Sequence, residues 1–310
     1  MTDERVGTVF IITGLFVYGI HPVVVEFGGF FLAPFFFAGV ATILAGSISI
    51  PLAKKTQRKF SLPLTRRDCL RLVLAGFFGT FLAFGCFFLG LQFTSSNNAA
   101  VILRSELVFA LIFSYFFLGE SISLKQAFLM IFILSGVILV AMSTEALILS
   151  IGDFLLLITP AAWAAGHTCV KPILNRVSLW TVVAFRNLVG GSLLLLIASG
   201  IVFLGSPLVM ISMWSTIAGI VVIEVLVILL GHSLWYAGIR RINLGKATAL
   251  IAGAPIVTFL LSTVVFMIPP TLWQLVGAII VIATTILLSR EVSLQRNTHQ
   301  RDSFKACSYE

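Results

Sequence analysis

Apolar residues in this chain come in long runs cut by short polar breaks. Ten runs can be marked, at 6–25, 31–52, 70–93, 97–118, 126–142, 151–170, 179–204, 213–238, 246–268 and 272–289. At ~1.5 Å of rise per helical residue, each is long enough to cross a hydrocarbon core of ~30 Å. Gly, Ser and Pro inside the runs do not break the pattern, because neighbouring helices in a membrane repair the backbone bonding that such residues disturb. The pattern predicts an all-α polytopic membrane protein with ten transmembrane helices. The first run is not followed by a small-residue cleavage site, so it reads as a retained helix and not as a signal peptide.

Composition supports the same class. Apolar residues make up 59% of the chain and charged residues 10%, against roughly a quarter charged in a soluble domain. A soluble protein of 310 residues could not hide that much apolar surface, whereas lipid solvates the outer face of every helix. The net charge of +8 does not point to nucleic acid. The basic residues sit in short loops and show no interleaving with aromatic residues of the kind that stacks bases.

The loops instead carry an orientation signal. With the N-terminus in the cytoplasm, Arg5, the seven Lys and Arg residues of 54–71, Lys125, Lys171, Arg176, Arg240, Arg241, Lys246, Arg290, Arg296, Arg301 and Lys305 all fall inside. These are 18 of the 20 basic residues, and the alternate loops hold none. That is the positive-inside distribution. It places the chain in the plasma membrane as a multi-pass protein with both termini cytoplasmic and residues 292–310 as a cytoplasmic tail. Arg104 and Arg186 lie within runs.

The chain also repeats. At a shift of 148, FFLGLQ at 87–92 parallels WYAGIR at 235–240, residues 99–101 parallel 247–249, and Gln126 parallels Gln274. Tyr18 stands eight residues before Glu26, as Trp163 does before Lys171. The halves are 1–145 and 146–291. Five crossings per half is an odd number, so the second copy enters from the opposite side. Two inverted five-helix repeats are an architecture of secondary transporters.

The stretch 94–138 has a small-residue helix start, an apolar helix ending in Leu118-Gly119-Glu120, then Gln126, then a helix with Gly136-Val137. It resembles the signature of EamA-type transporters of the drug/metabolite transporter superfamily. The second copy, 243–288, keeps Pro255, Gln274 and Gly277 but lacks the Leu-Gly-Glu. Two departures stand out. Leu107 occupies the place of a proline often found in the fourth helix. Ala38 in the second helix stands where Arg186 stands in the seventh. The resemblance implies export of amino acids, other metabolites or drugs.

Ionisable groups inside a bilayer cost at least ~2.5–3.5 kcal/mol each, so those within the runs are the candidates for a site. Arg104, Glu106, Glu224, His21, His232 and Tyr236 are the proposed substrate-binding residues, with His167 and Asn187 as weaker candidates. Arg104 and Glu106 are two residues apart and should point to opposite sides of a regular helix. Arg104 would meet a substrate carboxylate, or pair with Glu224 or Glu106 as a structural ion pair. Glu106 and Glu224 would bind a substrate ammonium or carry a coupling proton. Beside His21, Pro22 should free a backbone carbonyl and break the first helix. Arg186 matches a family position, which favours a structural role.

No cofactor or metal site is expected. The four cysteines, Cys69, Cys86, Cys169 and Cys307, show no metal-ligand or disulfide spacing. No HExxH, nucleophile-elbow or P-loop pattern occurs, so transport would run on a gradient or by exchange. The partners are a small-molecule substrate and the lipid bilayer, with a proton as the coupling candidate and no nucleic acid. The expected function is a secondary transporter for a small organic solute, working by alternating access. The competing reading is an intramembrane enzyme built on the buried Glu and His residues. The orientation has a direct test. A single cysteine at Ser206 should react with an impermeant reagent added to intact cells, and one at Ser61 should not; labelling at Ser61 would refute the topology.

Overall fold

The computed structural model describes residues 3–56, 65–118, 122–141, 150–174, 177–242, 247 and 250–307. Gly119, Glu120, Ser61, Arg176, Lys246 and the expected join between halves at 145–146 lie outside these residues. Ten helical segments follow one another: α1 (Asp3–Gly29), α2 (Pro34–Thr56), α3 (Arg66–Gly90), α4 (Ser96–Phe117) and α5 (Leu124–Ala141). Then come α6 (Ile151–Val170), α7 (Leu179–Phe203), α8 (Trp214–Ile239), α9 (Ala254–Phe266) and α10 (Leu272–Cys307). Among the described residues eight segments are long and apolar enough to cross a membrane, while α5 and α9 are shorter apolar helices. The shortness of α9 differs from the run at 246–268. A turn at Ala252–Gly253 interrupts that run, and Pro255 follows in the first turn of the new segment. Helix α10 also runs on through Arg290 to Cys307, beyond the expected membrane boundary.

Contacts between helix ends sort into two faces. On one face Arg241, after α8, meets Asp3 of α1, and Lys125 of α5 meets Glu291 of α10. There too Arg240 donates to the carbonyls of Leu174 and Val177 between α6 and α7, and Thr56 of α2 lies 3.1 Å from Ser178 before α7. On the other face the carboxylate of Glu26 accepts from the backbone N–H of Ser96 at the start of α4, 2.7 Å away. Asp153 of α6 accepts there from Thr94 and Asn98, and Gln274 of α10 donates to Asn98. Each successive helix therefore runs opposite to the one before it, as the basic loops require.

The helix pairings are symmetric under exchange of each helix with the one five places on. The pairs α2–α7, α5–α10 and α4–α9 map onto themselves. The pair α1–α8 maps onto α6–α3, and α1–α9 maps onto α6–α4. Small residues set the close approaches, since lipid offers no hydrophobic drive between helices and van der Waals contact must supply it. Gly136 and Gly277 face each other's helix across α5–α10, Gly90 and Gly152 do so across α3–α6, and Gly166 of α6 faces the backbone of Gly79 in α3. Large apolar side chains such as Phe116, Leu196, Leu260 and Ile279 point outward and stay exposed, as expected of lipid-facing surface.

Three helices depart from regular geometry near their middles. In α3 the chain widens into a π-type turn over Phe77–Leu82, a distortion that frequently marks functional sites. In α4 it tightens into a 3₁₀ turn over Leu103–Ser105. The turn in the ninth run, at Ala252–Gly253, falls at the equivalent place, because Arg104 and Ser105 shifted by 148 are Ala252 and Gly253. The expected break at Pro22 does not occur: α1 is continuous through it.

The packing can be tested by substitution. A Cβ on Gly166 would lie 2.8 Å from the Cα of Gly79, whereas one on Gly200 would meet nothing within 4 Å. Overpacking of this kind costs about 1–3 kcal/mol. Gly166→Leu should therefore melt at a distinctly lower temperature in detergent than wild type, with Gly200→Leu unchanged. Equal melting of the two variants would contradict the α3–α6 contact.

Candidate functional site

A cavity of about 430 Å³ lies between the helices near the two central breaks. Its size falls within the range of small-molecule sites. The first helix of each half contributes an aromatic wall, through Tyr18 of α1 and Trp163 of α6; Phe84 of α3 and Trp235 of α8 add two more rings. The lining extends to Leu174, Ile239, Arg240 and Ile242 on the basic face and, among the described residues, includes none from the helix ends of the opposite face. At that opposite face the two connecting segments clasp each other. An antiparallel bridge joins Leu32 and Val209. In it the Ala33 N–H donates to the Leu208 carbonyl at 2.9 Å and the Met210 N–H to the Phe31 carbonyl at 2.8 Å. The rings of Phe27, Phe30 and Phe266 cluster beside it.

Of the six proposed site residues, five line the cavity: Arg104, Glu106, His21, His232 and Tyr236. Glu224 stands behind the wall, fully buried, with Oε1 2.8 Å from Nε2 of His21. This pair ties α1 to α8 and is packed against the rings of Phe84, Phe87 and Phe88. The other carboxylate oxygen of Glu224 has no hydrogen-bond partner among the described residues.

Arg104 pairs with neither Glu224 nor Glu106. Its guanidinium donates to the Ile251 carbonyl at 3.3 Å, and its Nε is buried without a partner among the described residues. The Ile251 carbonyl is free for a reason that lies in the sequence. In an unbroken helix it would accept from the N–H of residue 255, and that residue is proline, which has none. Of the two alternatives left open for Arg104, the structural ion pair with Glu224 or Glu106 is absent among the described residues: the break in one half supplies the acceptor for the cation of the other. The 3₁₀ turn at Leu103–Ser105 also changes the angular relation of Arg104 and Glu106 from that of a regular helix. Both side chains line the same cavity.

Glu106 instead approaches His167, with Oε1 3.4 Å from Nε2. His167 Nδ1 lies 3.4 Å from the Tyr236 hydroxyl, and Arg186 donates to that hydroxyl at 3.2 Å. Arg186 further donates to Thr80 Oγ1 at 3.1 Å and to the Gly79 carbonyl at 2.5 Å, so its two other anchors lie on the π-type turn of α3. Gly79 leaves room for this, since a Cβ there would be 3.1 Å from the guanidinium carbon. Arg186 and His167 line the cavity as well. The sequence marked both within apolar runs, but nothing in one chain's spacing told that Arg186 reaches Tyr236. Asn187 is buried and linked to Thr80 at 3.4 Å, away from the lining.

Lys171 and Arg240, read from the sequence only as topological charges, stand among the residues lining the cavity where it reaches the basic face. Arg240 is held by the two carbonyls named above. Lys171 is exposed and follows directly on α6. Among the described residues no group of three or more His, Cys, Asp or Glu side chains could hold a metal ion.

This arrangement of ten helices can be set against known proteins. A solved crystal structure of a protein superposes with a TM-score of 0.66 at 16% identity, covering 93% of this chain and 99% of that one. The likeness concerns the fold. Two proteins of Bacillus subtilis (strain 168) are similar in sequence. One is the uncharacterized transporter YyaM, 23% identical over 248 residues, which are 77% of this chain and 79% of that protein. The other is the uncharacterized transporter YvbV, 25% identical over 267 residues, 85% of each. The profile of the EamA-like transporter family matches twice, at residues 5–142 and again at 150–290. With both halves matched over nearly their whole length, the chain belongs to the EamA-like transporter family.

Proposed function

We propose that this membrane transporter is a secondary transporter, which moves a small organic solute through the central cavity by alternating access and exports an amino acid or related metabolite. The observation that carries the reading is the cavity itself. It reaches one face of the helix bundle, while two connecting loops are joined by backbone hydrogen bonds across the other. Alternating access needs two quasi-equivalent halves that rock about a central site, and broken helices at its centre are a recurrent feature of such proteins. The matched breaks at Leu103–Ser105 and Ala252–Gly253 fit that requirement. In this reading the basic face is cytoplasmic, the membrane is the plasma membrane, and solute enters from the cytoplasm.

Arg104, Glu106, His21, His232 and Tyr236 are the residues proposed to touch solute. Glu224, out of reach behind His21, suits the coupling proton better than a solute ammonium. It is fully buried, has one free oxygen, and connects to the cavity through an imidazole able to take and give a proton.

Two measurements test these statements. An antiparallel bridge brings the Cα atoms of facing residues to ~4.5–5.5 Å, within disulfide range. In a variant lacking the native cysteines, Leu32→Cys with Val209→Cys should lose most of its transport on oxidation and regain it on reduction. Full transport by the oxidised, cross-linked protein would exclude a gate at this clasp. For the proton, Glu224→Gln should abolish uphill transport driven by a pH gradient and leave solute exchange intact, and Glu106→Gln should act chiefly on solute affinity. Unchanged gradient-driven transport in Glu224→Gln would remove that carboxylate from coupling.

A further inference from the structure

We infer that the preferred cargo of the cavity is an organic monocarboxylate with an aromatic or apolar body and no amino group, bound through Arg104 with Arg186 as the second positive wall. This rests on the transport reading above and, of its two cargo classes, takes the related metabolite over the amino acid. Four cations line the described cavity, Arg104, Lys171, Arg186 and Arg240, against a single carboxylate, Glu106. The balance becomes more positive still when Glu106 takes up a proton.

None of the four cations has a carboxylate within ion-pair distance among the described residues. Arg186, 2% exposed, spends its donors on a threonine hydroxyl, a tyrosine hydroxyl and a backbone carbonyl. Arg240 spends its donors on two carbonyls. Arg104 makes one bond to a carbonyl and keeps a buried Nε with nothing to donate to. Buried charge that is solvated only by neutral dipoles favours the arrival of a counter-charge. A guanidinium also meets a carboxylate through strong, directional, charge-assisted bonds.

An amino acid brings a second charge that this cavity serves poorly. Among the described residues the only lining carboxylate that could take an ammonium is Glu106, which is turned toward His167. Glu224 is sealed behind His21. An ammonium would therefore sit in a field set by two guanidinium groups with one shared acceptor. The remainder of the cargo meets the rings of Tyr18, Phe84, Trp163 and Trp235, surfaces suited to an apolar or aromatic body. Lys171 and Arg240, where the cavity reaches the basic face, would concentrate anions there.

The test is a matched set on one skeleton: 3-phenylpropionate, phenylalanine and phenethylamine, offered to the purified full-length protein. Two readouts are taken, thermal stabilisation in detergent and counterflow in proteoliposomes. A charge-assisted bond made or lost is worth at least about tenfold in affinity. The expected order is 3-phenylpropionate, then phenylalanine, then phenethylamine, with at least about tenfold between the first and last. Arg104→Lys should weaken the response to 3-phenylpropionate, because a point charge lacks the planar fork. Arg104 also helps hold the ninth helix, so a second variant guards against misfolding. Lys171→Glu, at an exposed position, should fold normally and raise the KM for 3-phenylpropionate. Phenylalanine or phenethylamine ranking first, no stabilisation by any of the three, or an unchanged KM in Lys171→Glu would overturn the inference. Stabilisation by 3-phenylpropionate with no counterflow of any solute would instead leave the anion site standing and sink the transport reading.

Discussion

The contact between Arg104 and the Ile251 carbonyl organises the centre of this protein. A proline in the ninth helix withdraws one N–H, the helix turns at Ala252–Gly253, and the carbonyl left behind would be intolerable in hydrocarbon. A guanidinium in the fourth helix would be just as costly alone. Each defect satisfies the other, and the two halves of the chain meet at that point. The cavity exists because neither helix continues regularly through the middle. Without the break just ahead of α9 there is no acceptor for Arg104, and without Arg104 the break has no partner among the described side chains.

A second network stands across the cavity and follows the same logic. The π-type turn in α3 presents Gly79 and Thr80, Arg186 of α7 docks on both, and the chain of contacts continues through Tyr236 and His167 to Glu106. Five helices are thereby linked through polar side chains that lie within membrane-spanning segments. Irregular backbone in a membrane is tolerated where it is buried in protein or lines a cavity, and the three distorted turns here all obey that rule. The halves are alike in how their helices pair, yet unlike in chemistry. Arg104, Glu106, Arg186 and Glu224 correspond at a shift of 148 to Ala252, Ala254, Ala38 and Gly76. Scaffold symmetry and site asymmetry coexist because packing depends on small residues and side-chain volume, whereas recognition of an asymmetric solute does not repeat.

Much of the scaffold could be read in the sequence, because the forces that set it act on single residues. Hydrocarbon selects apolar runs, and the placement of Lys and Arg relative to the membrane selects the side on which each loop lies. The helix ends obey the resulting alternation. The site was legible only as a set of residue types. Arg104, Glu106, Glu224 and His21 stood out because charge within an apolar run is expensive, and four of the six proposed positions are joined in two polar groups, Glu106 with Tyr236 through His167 and His21 with Glu224. Who meets whom was not legible. His21 and Glu224 are 203 residues apart, and no local spacing relates them. Pro22 and Pro255 look alike as helix breakers, yet α1 passes through the first without interruption and the ninth run turns just before the second. The difference lies in context: Pro255 follows a Gly-Ala pair, and Arg104 is at hand to accept the consequence.

The clasp between Leu32 and Val209 is made of main-chain groups, and this bears on how the protein can drift in sequence. Two such bonds contribute about 0.5–1.5 kcal/mol each in net terms, a latch weak enough to open thermally and firm enough to bias a population. Because every residue but proline carries the same N–H and carbonyl, this latch is indifferent to the side chains displayed at its positions. Ala33 and Met210 supply the two donors; Met210 is exposed and could be exchanged for most other residues without altering the bonding, whereas Ala33 is buried and is held to small side chains by its packing. Descendants of this sequence could therefore vary on the exposed side of the clasp, around Met210 and Ile211, while keeping the same latch, with proline at 33 or 210 as the substitution the main chain itself forbids.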